Sequence, residues 1–274
     1  MGAAATGDPA TVLNDFRLRP PMPRRFRRGV YLLPSMFTVA NMFCGYACVV
    51  YAMRGEFETA APFIGIAIIL DMLDGKIARL TGTTSAFGLE FDSLADVISF
   101  GLAPAILTFS WGLFQLGRLG WAAGFLFVTA AALRLARFNI QSAATLDKRY
   151  FVGMPSPAAA GVPAATVYAW PYPAGDYPQA VIALVIVLVP ALLMVSTIRF
   201  RSFKTLDLGW RRSYLYLFLI AAGLATIATE PRVMLLVLAY GYLASGLIGL
   251  AYARLRRRPH EAPSVEAEPG EGRN

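Results

Sequence analysis

Four aspartates stand in apolar sequence that otherwise has the pattern of membrane-spanning helix: Asp71, Asp74, Asp92 and Asp96. Ionisable side chains at membrane depth are costly, and they usually mark functional sites. Four carboxylates within 26 residues need cations close by if they are to stay charged where the dielectric constant is low. Oxygen ligands without histidine or cysteine favour Mg²⁺ or Mn²⁺, and two such ions can share carboxylates. The pattern therefore predicts a two-ion site that binds phosphate groups.

Helical spacing would bring these aspartates together from two helices. Asp71 and Asp74 lie three residues apart and Asp92 and Asp96 lie four apart, so each pair shares one helix face. A short turn around Gly82 predicts that the two helices are antiparallel neighbours. A carboxylate left free of metal could accept a proton from an attacking hydroxyl, which favours phosphoryl or phosphodiester transfer from a nucleotide-bearing donor to an alcohol. Two other interpretations remain open: a structural network of aspartates with lysine or arginine, and the cation pathway of a transporter.

The composition indicates an all-α polytopic membrane protein. Of 274 residues 57% are hydrophobic and 15% are charged, whereas soluble domains have about 25% charged residues. We predict about eight transmembrane helices, each near the length that a bilayer requires. They are placed at 34–53, 59–80, 89–112, 119–138, 156–173, 178–198, 213–229 and 232–252.

The distribution of basic residues predicts the orientation. Of the 25 Lys and Arg residues, 22 lie before span one, at the end of span two, or after spans four, six and eight. Because basic residues collect on the cytoplasmic side, both termini and the aspartates are expected there. This bias also accounts for the net charge of +8 without nucleic-acid binding. The protein is therefore predicted to be integral to the membrane (the inner membrane, if it is bacterial).

Three parts are predicted along the chain. Residues 1–29 form a basic cytoplasmic segment, residues 30–254 form the transmembrane catalytic domain, and residues 255–274 form a disordered cytoplasmic tail. Arginine mixed with Phe and Leu in the first part is equally compatible with a segment lying on an anionic leaflet. The single histidine, His260, lies in the tail, which argues against a histidine metal site or a Ser-His-Asp triad.

The aspartates belong to a longer motif that is specific to one family. Eight residues match at every position the signature of the CDP-alcohol phosphotransferase family, which the chain resembles over roughly residues 30–250: Asp71-x-x-Asp74-Gly75-x-x-Ala78-Arg79-x8-Gly88-x3-Asp92-x3-Asp96. The resemblance implies that a second alcohol displaces CMP from a CDP-alcohol with the help of two divalent ions. It implies that Asp71, Asp74 and Asp92 hold metal, and that Asp96 ligates the second ion and is the general base. A homodimer is implied as well.

The resemblance also implies that six residues lie against the cytidine diphosphate: Gly75, Ala78, Arg79, Gly88, Thr38 and Asn41. Small residues between the aspartates permit close approach of a ligand or of another helix. Arg79 suits bidentate contact with phosphate. Thr38 and Asn41 share a stripe of span one, where they could donate to the nucleoside or to a neighbouring helix.

Other stretches are similar to the phosphatidylserine synthase branch of the family, which implies CDP-diacylglycerol as donor and L-serine as acceptor. They are Arg134-Leu-Ala-Arg137-Phe-Asn139, Phe151 to Ala158, Pro34-x3-Thr38-x2-Asn41 and Ser202-Phe-Lys204. Arg134, Arg137, Asn139 and Lys204 are thus candidates for binding the acceptor or a phosphate. Arginines at a helix end also anchor helices at the interface, and the positive-inside bias alone would place Lys204 in its loop.

Alternative functions differ in what they require of the sequence. Choline as acceptor calls for an aromatic cage near the acids, and spans two and three contain no tyrosine. Inositol phosphate or glycerol phosphate calls for a basic cluster, which Arg134, Arg137 and Lys204 could supply. A cation-coupled transporter typically has paired repeats with broken helices in both halves, whereas these aspartates cluster in one half. The sequence favours an enzyme over a transporter and leaves phosphorylated acceptors open, and the resemblance implies L-serine as the acceptor.

Overall fold

The computed structural model describes residues 24–82, 85–144, 150–173, 175–196, 199–201, 221, 225–226 and 229–255. In chain order its helices are α1 (Arg24–Met53), α2 (Phe57–Thr81), α3 (Ala86–Asp96), α4 (Ala103–Trp111), α5 (Arg118–Ala144), α6 (Ser156–Ala169), α7 (Tyr177–Val195) and α8 (Pro231–Leu255). A π-helical turn, Val97–Leu102, joins α3 to α4, and a 3₁₀ turn, Leu113–Leu116, precedes α5. Two strands, β1 (Tyr150–Val152) and β2 (Arg199–Arg201), pair antiparallel.

The predicted helical membrane architecture is confirmed in its coarser form. Within the described residues, five helices are long and apolar enough to cross a membrane: Ser35–Met53, Ala86–Trp111, Arg118–Ile140, Tyr177–Val195 and Pro231–Ile248. Helices α2 and α6 coincide with the second and fifth predicted spans. However, α2 carries the charged acidic motif, and α6 has 14 residues, about 21 Å at 1.5 Å per residue. The seventh predicted span, 213–229, lies almost wholly outside the described residues, so the count of eight stays a prediction.

The predicted boundaries between the three parts of the chain can be compared with the start of α1 and the end of α8. Helix α1 begins at Arg24, so the predicted boundary at residue 30 falls inside a helix. Helix α8 ends at Leu255, and the remainder of the predicted tail lies outside the described residues. The division into three parts stays a prediction.

Helix α1 packs against both α2 and α3, whereas α2 and α3, in the part that the structure describes, have few backbone contacts with each other. Helix α1 therefore connects the two acidic helices, and we call the space between their four aspartates the acidic cleft. The turn between them has local causes. Gly82 ends α2 with a left-handed φ of 63°, and the Ser85 hydroxyl caps α3 by accepting from the Gly88 N–H at 3.0 Å. These residues set the start of α3, and with it the position of Asp92.

Alanine and glycine make up much of the helix contacts, which lets the helices approach closely. One close approach that bears on the aspartates is at Gly45 of α1. A Cβ there would lie 2.7 Å from Ser99 Oγ and 2.8 Å from Ser99 Cα in the π-helical turn. Because only glycine fits, α1 can lie directly against the turn that follows Asp96.

The short β1–β2 pair is an addition to the predicted all-α fold. Three-residue strands carry too little alternating pattern to be predicted from the sequence. After β1, Gly153 has a φ of 87°, and a Cβ there would lie 2.4 Å from the Met194 carbonyl oxygen. The Met154 N–H donates to Leu193 at 3.0 Å. These contacts attach the start of α6, including Ser156, to the end of α7.

Candidate metal and phosphate site

Three carboxylates from the two acidic helices meet in the cleft. Asp71 and Asp74 of α2 and Asp92 of α3 each present an oxygen, and these three oxygens all lie within 4.8 Å of one another. Opposite ligands of a divalent ion that is bound at about 2.0–2.6 Å are themselves about 4–5 Å apart. The donor set and its dimensions therefore fit a hard divalent cation.

The surroundings of the carboxylates favour a cation over a structural network. Because oxygens of Asp71, Asp74 and Asp92 lie within 4.8 Å of one another, a proton or a cation must offset the repulsion between these carboxylates. Asp92 Oδ1 is buried and has no hydrogen-bond partner among the described residues. Among the residues that the structure describes, none of the four aspartates forms an ion pair with lysine or arginine. The aspartates are thus arranged to receive a ligand rather than to bind basic side chains.

Asp96 lies beside this group of three. It is buried, with 8% of its surface exposed, and it interacts electrostatically with Asp71 and Asp92. Its Oδ1 accepts from Asn41 Nδ2 of α1 at 3.3 Å. The first three aspartates are close enough to share one ion. Asp96 has a different environment, in which one oxygen already has a protein donor.

The two polar residues of α1 that were candidates for the nucleotide bond to carboxylates in this structure. Thr38 Oγ1 donates to Asp74 Oδ2 at 3.0 Å, and Asn41 donates to Asp96. Both side chains are buried. Of the two sequence interpretations, contact with a neighbouring helix is therefore the one that the structure displays.

The other candidates for cytidine diphosphate lie on α2 and at the start of α3. Gly75 and Ala78 are half-buried, and Arg79 is exposed on the same side of α2 as Gly75. The nearest atom to a Cβ built on Gly75 is Arg79 Nη2, at 3.9 Å, so the backbone at Gly75 is open to an incoming group. Gly88 is half-buried, and its N–H is engaged by the Ser85 cap.

Arg134 points into the protein. Its Nη1 donates to Ser156 Oγ at 2.7 Å, and its guanidinium lies 5.8 Å from the centre of the Phe138 ring. It also interacts electrostatically with Asp96, Tyr242 and Asp71. An arginine that only anchored its helix at the interface would extend toward the headgroups. The structure instead places Arg134 next to the acidic cleft.

The remaining acceptor candidates are less directly placed. Asn139 Nδ2 donates to Ser93 Oγ at 2.9 Å, which connects the end of α5 to the residue after Asp92. Arg137 is half-buried on α5. Lys204 lies outside the described residues.

Three residues near the site were not predicted from the sequence: Ser99, Ser156 and Tyr242. Ser99 Oγ donates to the Asn41 carbonyl at 2.9 Å, Ser156 accepts from Arg134, and Tyr242 of α8 lies near Arg134. Ser99 follows Asp96 by one helical turn, a spacing that could have identified it. Ser156 lies in a stretch already noted for its similarity, but Tyr242 has no local signal.

Comparison with known proteins gives consistent matches. A family model described as CDP-alcohol phosphatidyltransferase matches residues 31–196, which contain all four aspartates. The chain is 39% identical over 222 residues to a CDP-diacylglycerol–serine O-phosphatidyltransferase of Helicobacter pylori, covering 80% of this chain and 91% of that protein. It is 32% identical over 230 residues to a protein of the same name from Mycobacterium leprae, covering 80% of this chain and 75% of that protein. It is 35% identical over 170 residues to an archaetidylserine synthase of Methanothermobacter thermautotrophicus, covering 61% of this chain and 69% of that protein.

Proposed function

The chain belongs to the CDP-alcohol phosphatidyltransferase family, and we propose that it transfers the phosphatidyl group of CDP-diacylglycerol to the hydroxyl of L-serine. The products are phosphatidylserine and CMP. The protein is a membrane-embedded transferase of phospholipid biosynthesis. The names of the relatives described above specify serine as acceptor or a serine-containing product, in agreement with the acceptor predicted from the sequence.

One observation supports the chemistry above all others. Three carboxylate oxygens from two helices lie within 4.8 Å of one another, and Asp92 Oδ1 is buried with no hydrogen-bond partner in the part of the chain that the structure describes. Such a cluster is unstable by itself and is suited to divalent ions. Asp71, Asp74 and Asp92 would hold one Mg²⁺ or Mn²⁺ ion, and Asp96 would complete the site for a second. When bound, such ions neutralise phosphate charge and stabilise the leaving group.

The chain's own residues supply the proton transfer and the positioning. Asp96 accepts the proton of the serine hydroxyl. The serine oxygen forms a bond to the phosphorus that bears diacylglycerol, and the bond from that phosphorus to the bridging oxygen breaks. CMP leaves with the bridging oxygen, and Arg79 offsets its charge.

Substrate binding divides between the two sides of the cleft. On the donor side, Gly75 and Ala78 admit the diphosphate close to the α2 backbone, and Arg79 and Gly88 lie at the ends of the acidic helices. On the acceptor side, Arg134 offers its guanidinium to the serine carboxylate. Arg137, Asn139 and Lys204 are further acceptor or phosphate contacts in this proposal.

The arrangement in the membrane follows from the basic residues. Both termini and the acidic cleft lie on the cytoplasmic side, where serine is available, and the acyl chains of the donor stay among the spans. The protein functions as a homodimer in this proposal, as the family resemblance implies.

The test is a comparison of acceptors with purified protein. Protein in detergent micelles is incubated with CDP-diacylglycerol, Mn²⁺ or Mg²⁺, and one acceptor at a time: L-serine, choline, inositol phosphate or glycerol phosphate. We expect CMP release and a new phospholipid with L-serine, and neither after chelation of the ions. Turnover with glycerol phosphate in place of serine would reject the acceptor but keep the family chemistry. No CMP release with any acceptor would reject the proposed function.

A further inference from the structure

Asn41 is held at both its side chain and its backbone by one short stretch of chain. Its Nδ2 donates to Asp96 Oδ1 at 3.3 Å, and its carbonyl accepts from Ser99 Oγ at 2.9 Å. Asp96 and Ser99 are three residues apart, at the junction of α3 and the π-helical turn. The close approach at Gly45, one turn along α1, brings the two segments together. Asn41 therefore sits in a fixed position relative to Asp96.

Packing alone does not explain an asparagine at this position. The side chain is fully buried, and within the described part of the chain its Oδ1 has no hydrogen-bond partner. A buried unpaired acceptor is unfavourable, and an apolar side chain of the same shape would avoid it. The amide therefore contributes something that an apolar residue does not, and its one side-chain hydrogen bond is to Asp96. Since no part of Asn41 is exposed, a nucleotide in the cleft does not touch it in this arrangement.

We infer that Asn41 is a positioning residue for the general base Asp96 rather than a contact to the nucleotide. By donating to Asp96 Oδ1, it orients the carboxylate plane and leaves the lone pairs of Oδ2 for the second ion and for the proton of the acceptor hydroxyl. The inference rests on the proposed function, because it concerns the residue assigned there as the base. It assigns to α1 a part in the chemical step.

Thr38 provides an internal comparison, because it also donates a side-chain hydrogen bond from α1 to a buried carboxylate, that of Asp74. Its hydroxyl holds Asp74, a member of the three-carboxylate group, at 3.0 Å. The two residues lie three apart on one face of α1, and each donates to one of the two most buried aspartates. Loss of the Thr38 bond acts on ion binding, whereas loss of the Asn41 bond acts on proton transfer.

Near-isosteric substitutions separate these roles. Asn41→Leu keeps the branched shape, removes the donor and removes the unpaired acceptor; Thr38→Val keeps the shape and removes the hydroxyl. At saturating Mn²⁺ we expect Asn41→Leu to lower kcat about 10- to 100-fold, the range for loss of a group that orients a functional residue. The KM for CDP-diacylglycerol should stay within about twofold, since the donor is not touched. Thr38→Val should instead raise the half-saturating Mn²⁺ concentration about 10-fold or more.

Two further variants serve as controls for the Asn41 experiment. Tyr240→Phe removes a different interhelical hydrogen bond, 2.8 Å to Thr166, and should leave kcat unchanged. Ser99→Ala removes only the bond to the Asn41 backbone, so a smaller loss of kcat in the same direction is expected, even if Asn41→Leu is poorly folded. A raised KM for CDP-diacylglycerol with normal kcat in Asn41→Leu would overturn the inference in favour of nucleotide contact. Normal values of both would overturn it too. If the wild-type protein prefers another acceptor, the same kinetics are measured with that acceptor. Failure of the serine assignment can then be distinguished from failure of the inference about Asn41.

Discussion

Asp92 and Asp96 are one helical turn apart on α3, yet their surroundings differ. Asp92 has a buried oxygen without a partner and lies with Asp71 and Asp74. Asp96 has a donor from Asn41 and lies outside that group of three. A carboxylate with an unused oxygen among other carboxylates is suited to an ion, and one whose orientation is fixed is suited to proton transfer. Their substitutions should therefore have different kinetic consequences.

Asp96→Asn should abolish turnover and largely keep donor binding. The amide has the shape of the carboxylate but cannot accept the serine proton, and loss of general-base catalysis costs about 10²- to 10⁴-fold in rate. The measurement is CMP release at saturating Mn²⁺ and serine, beside direct binding of CDP-diacylglycerol. Wild-type turnover in this variant, at matched metal concentration, would refute the base assignment.

Asp92→Asn should weaken metal dependence and donor binding together. Replacing one charged ligand of the group leaves two carboxylates for the same ion, and the diphosphate loses its bridge to the protein. We expect a higher half-saturating Mn²⁺ concentration and a higher KM for CDP-diacylglycerol. An unchanged Mn²⁺ titration would show that Asp92 is not a ligand. Asp71→Asn should behave in the same way.

Arg134→Lys should raise the KM for serine with little effect on the KM for CDP-diacylglycerol. Lysine keeps the charge but lacks the planar fork that binds a carboxylate with two parallel hydrogen bonds. Both KM values are measured on one preparation, so that the KM for CDP-diacylglycerol serves as the control for the KM for serine. Equal increases in both would place Arg134 at the diphosphate instead.

At the scale of elements, the acidic cleft depends on how closely α1 approaches the π-helical turn. Regular α-helix continues on both sides of Val97–Leu102, and the turn begins directly after Asp96. π-helical turns often occur at functional sites, because they change the direction of the side chains around them. Helix α1 contacts this turn where Gly45 lies against Ser99. The cleft is therefore formed by three helices and not by two.

Gly45→Ala should therefore reduce both stability and activity. The added methyl would overlap Ser99, and overpacking of this kind costs about 1–3 kcal/mol in the free energy of unfolding. Asn41 would move away from Asp96, which lowers kcat. The matched control is Gly65→Ala in α2, where a Cβ meets no atom of the described residues within 4 Å. There the change should be neutral, or stabilise the helix by about 0.5–1 kcal/mol. Thermal unfolding and CMP release of both variants check the pair, and equal behaviour would contradict the close-approach argument.

At the scale of the whole molecule, orientation in the bilayer decides which substrates reach the cleft from which side. The acidic helices meet at the turn around Gly82, next to Lys76 and Arg79, so the cleft and these basic residues lie at the same end of the bundle. Arg134 reaches that end from α5. Because basic residues near short loops orient membrane proteins, we predict that this end faces the cytoplasm.

Reporter fusions test the orientation. A fluorescent protein that folds only in the cytoplasm should fluoresce at either terminus, and a phosphatase that is active only outside should be inactive at both. Phosphatase activity at the C-terminus alone would mean an odd number of spans. Because the predicted span at 213–229 lies mostly outside the described residues, this result also bears on the count of eight.

The acidic motif and the helices that carry it could be predicted from the sequence because their causes are local. A repeat of 3.6 residues sets which aspartates share a face, and Gly82 with Ser85 sets where one helix ends and the next begins. Long apolar runs require helix in a bilayer, since every backbone group must be satisfied within the segment. The family followed from the same 26 residues.

Only the tertiary structure decided what the other polar side chains touch. Thr38 and Asn41 could have donated to a ligand or to another helix, and their partners are carboxylates 36 and 55 residues away. Arg134 could have anchored α5 at the interface, but β1 and β2 attach the start of α6 where Ser156 accepts its hydrogen bond. A side chain's periodicity gives its face on a helix. Its partner depends on which helices pack against that face and how closely, and here a glycine that admits Ser99 sets that distance.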